Sequence, residues 1–434
     1  MNFCNEIFKH DPDAIAIIGL DSRYTYGELD KITNKLANCL TEEMFFKKGD
    51  CIIIQSDNCP QMVMLWLAAV KSGGTAVLLS NEHSPTIISE VFTQTNATML
   101  FSPECLIQTV LMADRYWSDV FETVDVEPTD ICEITLTSGT GGNRQNVVKH
   151  SHENTIFAMR TGTEFRFMPT VGDVFYCTAH LSFSYGIATE LCIPLMYGAT
   201  TIIAKKLSVI DTLNLIKDNN VTVFYTAPAF YRIIMQHDVR DYFNSVNICF
   251  SGGDYLPEDL KVGWKEKSGK YLTNIIGAAE TQWIFACAIE DESPEGSLGK
   301  IIPPYTITSV DDKMHIKTPF IELDTSDNIE VIDDNLYFYG RSDDLISTTM
   351  GKYNPYVVEY MIMESGLVTD VFARQYDKMS MKFTQLFCIG DSTKLEDLKQ
   401  YCKAKLPQYL VPKKITYVET LPRTLTGKAQ RKII

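Results

Sequence analysis

Apolar positions along the chain fall into short runs divided by polar and glycine-rich stretches, and the runs follow two different periods. From Ala14 to Asp30 an Ile/Ala run passes through turn residues, the pattern of a short hairpin feeding a helix, and Leu29, Ile32, Leu36 and Leu40 then recur at helical spacing. Thr25 precedes Glu28 by three residues, the spacing of a capping box, which predicts where that helix starts. Cys51 to Gln55 reads as a buried strand, Pro60 to Lys71 as a helix stopped by Gly73-Gly74, and Ala76 to Leu79 as the next strand. Further strands are predicted at Asp173 to His180, Ala199 to Ala204, Val221 to Tyr225, Val246 to Phe250 and Asn274 to Ile276. Helical segments are predicted at Ser184 to Tyr197 and Leu207 to Asp218. Apolar strands alternating with helices predict a largely parallel sheet covered by helices.

Three strands run into loops of small residues. Ile134 and Leu136 lead into Thr137-Ser138-Gly139-Thr140-Gly141-Gly142, and apolar residues return at Val147 and Val148. Val246 to Phe250 leads into Ser251-Gly252-Gly253-Asp254, and Asn274 to Ile276 into Gly277-Ala278-Ala279-Glu280. Glycine allows backbone angles closed to other residues and lets N–H groups approach an anion, and the hydroxyls of Thr137, Ser138 and Thr140 add donors. The spacing is not that of a Walker A loop, and a plain glycine-rich turn between strands is the alternative. In open α/β sheets ligands lie beyond the carboxyl ends of strands, so the three loops are expected to share one crevice. From Tyr305 to Tyr339 the pattern changes to short β segments with charged turns at Asp311-Asp312 and Asp333-Asp334. Gly340 to Asp344 breaks that pattern, which places a boundary between a domain of residues 1–341 and a small α/β domain of 342–434.

Composition narrows the function. The 434 residues are 45% hydrophobic and 22% charged, ordinary for a globular protein too long for one core. A net charge of −16 argues against a nucleic-acid partner or an anionic membrane. Residues 342–434 hold fourteen Lys and Arg against ten Asp and Glu, a net of +4, so residues 1–341 carry −20. That basic tail suits an anionic partner or is simply solvated charge. Twelve cysteines without a C-x-x-C pair form neither a zinc pattern nor a disulfide framework. The N-terminus has no apolar stretch of signal-peptide length, and the longest apolar run, Met62 to Val70, is far below a membrane span. A cytoplasmic location is expected.

Taken in order, these stretches resemble the acyl-adenylate-forming (AMP-binding) superfamily over nearly the whole chain. Thr137 to Gly142 is similar to its phosphate loop, Ser251 to Pro257 to its S-G-G-E-x-L-P, and Gly277 to Glu280 to its Y-G-x-T-E. Thr325-Ser326-Asp327 stands in the place of T-G-D, Tyr339 to Asp343 matches the Y-G-R-x-D hinge, and Leu421 to Lys428 matches the C-terminal lysine motif. The resemblance implies a large N-terminal domain of parallel and mixed sheets and a small mobile C-terminal α/β domain. It also implies ATP-dependent activation of a small carboxylic acid as acyl-AMP, then transfer to the thiol of CoA or of an acyl carrier protein's phosphopantetheine. By the same resemblance, Thr137, Ser138, Gly139, Thr140, Gly141, Gly142, Gly253, Asp254, Gly277, Ala278, Asp327 and Arg341 hold ATP. Glu280 holds Mg²⁺, a hard cation that favours oxygen ligands. Lys428, Glu280 and Arg341 serve the chemistry, with Lys428 a compact charge between carboxylate and α-phosphate. Asp343 and Asp344 are the hinge, and His180, Tyr185, Gly186, Gly252 and Gly277 line the acyl site.

Ser184 stands where members that activate α-amino acids carry an aspartate, and Leu181 follows His180 where 2-hydroxybenzoate enzymes carry an asparagine. The implied substrate is an unsubstituted aromatic or short aliphatic acid, and the nearest resemblance is to benzoate-type CoA ligases. Departures from the pattern are Arg144-Gln145-Asn146 for the loop's Pro-Lys-Gly, Ala279 for a threonine, Ser347 for a lysine and Met350 for a glycine. They support an alternative, a degenerate member that binds nucleotide or acyl ligand without efficient thioester formation.

Overall fold

The computed structural model describes residues 1–137, 146–288, 292–342, 344–348, 351–378, 381–423, 429–431 and 434. They form two compact units: the described residues up to Glu292 with Ile302–Pro304, and Ser293–Ile301 with the described residues from Tyr305 onward. The expected α/β class holds in both.

The first unit carries two sheets. One has the order Met99–Phe101, Cys51–Gln55, Thr75–Leu79, Ile131–Thr137, Asn146–Ser151, with the first four strands parallel and the last antiparallel to its neighbour. Ile53, Val77, Leu79, Ile134 and Leu136 pack together with Val91 of the helix Pro85–Thr95. The helix Pro60–Lys71 is buried all round, so it has no face to give to water and lies in the interior. The helix Tyr26–Asn38 starts at the expected capping box: Thr25 Oγ1 accepts from Glu28 N at 3.2 Å and Glu28 accepts from Thr25 N at 2.9 Å.

The second sheet of this unit contains the parallel strands Leu272–Gly277, Ile248–Ser251, Val223–Thr226, Val174–Cys177, Thr200–Ile202 and Ile15–Ile18 in that order, with Ile284–Cys287 and Arg23–Thr25 antiparallel at the ends. Period-two alternation splits the strand residues between the faces. Tyr176, Phe224 and Cys249 join a core with Tyr231 and Trp264 of the helices Pro228–Ile234 and Glu258–Ser268. Phe175, Tyr225 and Phe250 form an aromatic stack on the other face, Tyr225 and Phe250 with ring centroids 4.5 Å apart. The segment predicted as a helix from Ser184 to Tyr197 is helical from Ser184 to Met196 but opens into a π-helical turn at Ile187–Cys192. Of membrane-crossing helices, none among the described residues is long and apolar enough.

In the second unit an antiparallel sheet has the order Thr306–Val310, Lys313–Lys317, Glu322–Ile332, Asn335–Arg341, Ser297–Ile301. Asp311-Asp312 and Asp333-Asp334 all have positive φ, between 49° and 63°, as two-residue hairpin turns require. The strands Asp370–Lys378, Met381–Ile389 and Lys414–Tyr417 form a separate sheet. Val371, Ala373, Leu386 and Cys388 of that sheet pack with Val358 and Ile362 of the helix Pro355–Met363 and with Leu398 and Cys402 of the helix Leu395–Lys405.

Candidate active site

Three of four adjacent parallel strands of the first unit deliver candidate residues at their carboxyl ends. Val174–Cys177 leads to Thr178 and His180, Val223–Thr226 to the turn at Ala227, Ile248–Ser251 to Gly252 and Asp254, and Leu272–Gly277 to Ala278 and Glu280. Hydrogen bonds carry the register past the strand ends: Thr178 N to Tyr225 O at 3.2 Å, Gly252 N to Thr226 O at 3.3 Å, and a bond between the Thr178 and Thr226 hydroxyls. Gly253 has φ +86°, a conformation that side chains rarely adopt. The Asp254 carboxylate accepts from Tyr255 N at 2.8 Å. The Gly277–Glu280 turn is closed by Thr281, whose Oγ1 accepts from Ala278 N at 3.1 Å and donates toward the carbonyls of Ala278 and Trp283. Glu280 is half-buried there.

His180 is fixed through both ring nitrogens. Nε2 lies 3.0 Å from the Ser56 carbonyl, and Nδ1 accepts from Ser182 N at 2.9 Å, which makes Nε2 the protonated nitrogen. Burial pushes its pKa down, opposed by the bond to Ser56, so the ring is neutral. Asn58 holds the flanking chain, donating to Ala179 O at 3.0 Å and accepting from Leu181 N at 2.9 Å. Gly186 fits because a Cβ there would lie 2.4 Å from the His180 carbonyl oxygen. The Tyr185 ring stacks on Trp283 with centroids 6.2 Å apart and meets Tyr225 edge-on. These aromatic rings form an apolar wall beside the strand ends. An open depression of about 610 Å³ between the turn at 19–23 and the helix Val209–Asp218 contains none of these residues.

Thr137 ends a strand of the other sheet, opposite Asn146. Ser138, Gly139, Thr140, Gly141 and Gly142 lie outside the described residues, as do Asp343, Met350 and Lys428. The three small-residue loops expected in one crevice therefore arise from two sheets rather than one.

In the second unit Asp327 and Arg341 are register partners on neighbouring strands. Arg341 Nε lies 3.3 Å from Asp327 Oδ1, and its guanidinium also donates to Ser326 Oγ at 2.9 and 3.2 Å. Ser342 N donates to Ser326 O at 2.7 Å, so both candidates are held by one strand pair. Asp344 N donates to Arg341 O at 2.9 Å. Arg431, three residues past Lys428, is buried and forms a bidentate pair with Glu359 at 2.6 and 2.8 Å.

Sequence reasoning missed Ser56, Asn58 and Arg431, and it missed a buried polar group on the strands before and after the glycine-rich stretch. Glu133 and His150 face each other across the two strands that flank the loop, and both are buried. Gln282 Nε2 donates to Glu133 Oε2 and to Thr155 Oγ1, the latter at 2.9 Å. Asn154 Nδ2 reaches Gln282 Oε1 at 3.4 Å and His150 Nδ1 at 3.1 Å. Burial pushes the Glu133 carboxyl up to about 8, against a smaller pull from the Gln282 amide. It pushes His150 down to about 4, opposed by the backbone of Ala279. Only a charged residue inside the apolar run C-E-I-T-L hinted at this group.

A family model described as AMP-binding enzyme matches residues 5–319. A 3-hydroxybenzoate–CoA ligase of Aromatoleum sp. (strain CIB) is 26% identical over 500 residues, covering 96% of this chain and 92% of its own. The mitochondrial acyl-coenzyme A synthetase ACSM3 of Rattus norvegicus is 23% identical, with 95% and 84% covered. Among solved structures, an anthranilate CoA ligase in complex with anthranoyl-AMP superposes with a TM-score of 0.89 at 21% identity, covering 100% of this chain and 96% of that one. A benzoate CoA ligase from Burkholderia xenovorans LB400 gives 0.86 at 21% identity, with 100% and 99% covered.

Proposed function

From the premise that the chain belongs to the AMP-binding enzyme family, we propose that it activates an aromatic or short aliphatic carboxylic acid with ATP and passes the acyl group to the thiol of CoA. In the first half-reaction a carboxylate oxygen attacks the α-phosphorus, the bond to the bridging oxygen breaks, and pyrophosphate leaves with acyl-AMP formed. In the second the thiol sulfur attacks the acyl carbonyl, the thiol proton is lost, and AMP departs. Two anions meet in the first step, so catalysis is chiefly positioning and charge neutralisation.

The observation that carries this reading is the row of adjacent strand ends bearing His180, Gly252, Gly253, Asp254, Gly277, Ala278 and Glu280. Within it, Gly253, Asp254, Gly277 and Ala278 lie along ATP. His180, Tyr185, Gly186, Gly252 and Gly277 face the acid. Thr137 and the loop Ser138–Gly142 take the β- and γ-phosphates, Asp327 accepts from the ribose hydroxyls, and Arg341 contacts ribose or phosphate. Residues 1–341 bind both substrates, and residues 342–434 bring Lys428 to the α-phosphate by turning at Asp343 and Asp344.

Among the described residues no three metal-ligating side chains cluster. Mg²⁺ takes one or two carboxylates and completes its shell with phosphate oxygens and water, and the half-buried Glu280 would supply such a carboxylate. Bound there, the cation neutralises phosphate charge. The aromatic wall of Tyr185, Trp283 and Tyr225 favours a flat, apolar acid. The names of the hydroxybenzoate, benzoate and anthranilate ligases point the same way. Ala279 and Ser347, where the resemblance leads one to expect threonine and lysine, favour a second reading in which thioester transfer is slow.

Pyrophosphate exchange into ATP across a panel of carboxylic acids tests the proposal. Exchange is expected with benzoate-like acids, and Lys428→Ala is expected to lower it by about 100-fold or more. No acid-dependent exchange above that variant overturns the ligase reading. Adding CoA, and separately a holo carrier protein, then identifies the thiol acceptor, and an adenylate that accumulates with both supports the second reading.

A further inference from the structure

Gln282 stands at the junction of three elements that the proposed chemistry needs in fixed relation. Its amide is fully used: two N–H donors go to Glu133 and Thr155, and the oxygen faces Asn154. Glu133 lies on the strand entering the glycine-rich loop, and its register partner His150 lies on the strand leaving it. Asn154 and Thr155 belong to the helix His152–Arg166 that follows. Gln282 itself comes two residues after Glu280, and its N–H donates to Ala279 O at 3.1 Å. Its backbone has φ +63°, a left-handed conformation uncommon for a side chain of this size. A residue kept merely to fill space would need neither that conformation nor an amide with both ends engaged.

We propose that Gln282 is a positioning residue that ties the strand entering the glycine-rich loop and the helix that follows the loop to the Glu280 turn, so that the groups holding the triphosphate keep a fixed spacing. This rests on the ATP-binding reading of the same site. An amide suits the task because it donates at one end and accepts at the other, which neither a carboxylate nor a hydroxyl of that length does. With the link cut, the strand hairpin and the acidic turn remain folded but lose their mutual register.

The test uses the full chain and two readouts, Mg·ATP binding by calorimetry without acid and the KM values of pyrophosphate exchange. Gln282→Leu is expected to weaken Mg·ATP binding by about tenfold or more, with a matching rise in KM for ATP and the KM for the acid within about twofold. Glu133→Gln keeps an acceptor facing Gln282 and is expected to stay close to the wild-type values. Should Gln282→Leu fail to fold, Glu133→Leu combined with Gln282→Leu removes both polar partners at once and is read by the same criteria. Wild-type ATP parameters in a folded variant, or equal losses for ATP and acid, overturn the proposal. A wild-type protein that binds Mg·ATP without acid-dependent exchange fails as a ligase but leaves the binding comparison decisive. A wild-type protein that does not bind Mg·ATP overturns both.

Discussion

Two buried glutamates, one in each unit, are held in opposite ways. Glu359 faces the guanidinium of Arg431 through a bidentate pair and also accepts from Ala373 N at 2.7 Å. Glu133 meets only an amide, and its Oε1 has no hydrogen-bond partner among the described residues. A cation lets the first remain an ion away from water, whereas the second escapes the cost of a buried charge by keeping its proton, as its pKa of about 8 implies. The difference follows what each must hold. Arg431 and Glu359 pin the chain next to the segment that carries Lys428, where a strong pair fixes an end. Glu133 sits among donors and acceptors that link a strand, a helix and a turn, where a neutral carboxyl adds an acceptor without adding a buried charge.

The comparison breaks most visibly at the ion pair. Arg431→Leu leaves Glu359 buried without its cation, and removal of one partner from such a pair costs about 3–5 kcal/mol. Thermal unfolding should show the largest loss of any substitution considered, and Glu359→Leu made together with Arg431→Leu should recover much of it. Unfolding unchanged in the single variant would mean that the pair does not anchor this unit.

Glu133→Gln tests the other side of the comparison through pH. The folded carboxyl has a pKa of about 8 against 4.5 for the free group, so between those values the folded state holds a proton that the unfolded chain releases. Stability from this group is therefore present below 4.5 and lost as pH rises toward 8, with a slope of at most about 1.4 kcal/mol per pH unit. Glutamine carries no such proton, so the melting temperature of Glu133→Gln relative to wild type should rise from pH 5 to pH 8. Comparing the two proteins at each pH cancels the titrations of His150 and His152, both pushed by burial to about 4. A constant difference across that range would show that Glu133 is ionised in the folded protein.

How far the sequence carried the picture depended on whether the cause was local. The capping box at Thr25 and Glu28, the aspartate turns of the second unit and the strands that end in small residues all follow from neighbours in the chain. Among the helices that escaped the periodicity argument are Pro85–Thr95 and Pro103–Tyr116, although a serine before each proline caps the helix as Ser-Pro pairs do. The π-helical turn at Ile187–Cys192 left no trace in the spacing. Least legible was the Glu133–Gln282 contact, which joins residues 149 positions apart. Nothing near Glu133 distinguishes a solvent-facing glutamate on an edge from one covered by a distant turn. The order of the motifs was readable because the chain preserves it, and their contacts were not because packing decides them.

The Asp327–Arg341 pair brings the smallest effect on stability and sharpens what separates an ion pair that holds the fold from one that serves a ligand. Both side chains are partly open to water, 25% and 38% exposed, so solvent screens their attraction. Asp327→Asn should change the unfolding free energy by less than about 1 kcal/mol, as surface pairs do. The same change should raise the KM for ATP in pyrophosphate exchange by roughly tenfold, the size expected when hydrogen bonds from ribose to a charged acceptor become bonds to a neutral one. The two readouts must separate if Asp327 is kept for the nucleotide. Were stability to fall by several kcal/mol as the KM rises, the pair would be a structural clasp like Arg431–Glu359. Were neither to move, ATP would not lie against this strand pair.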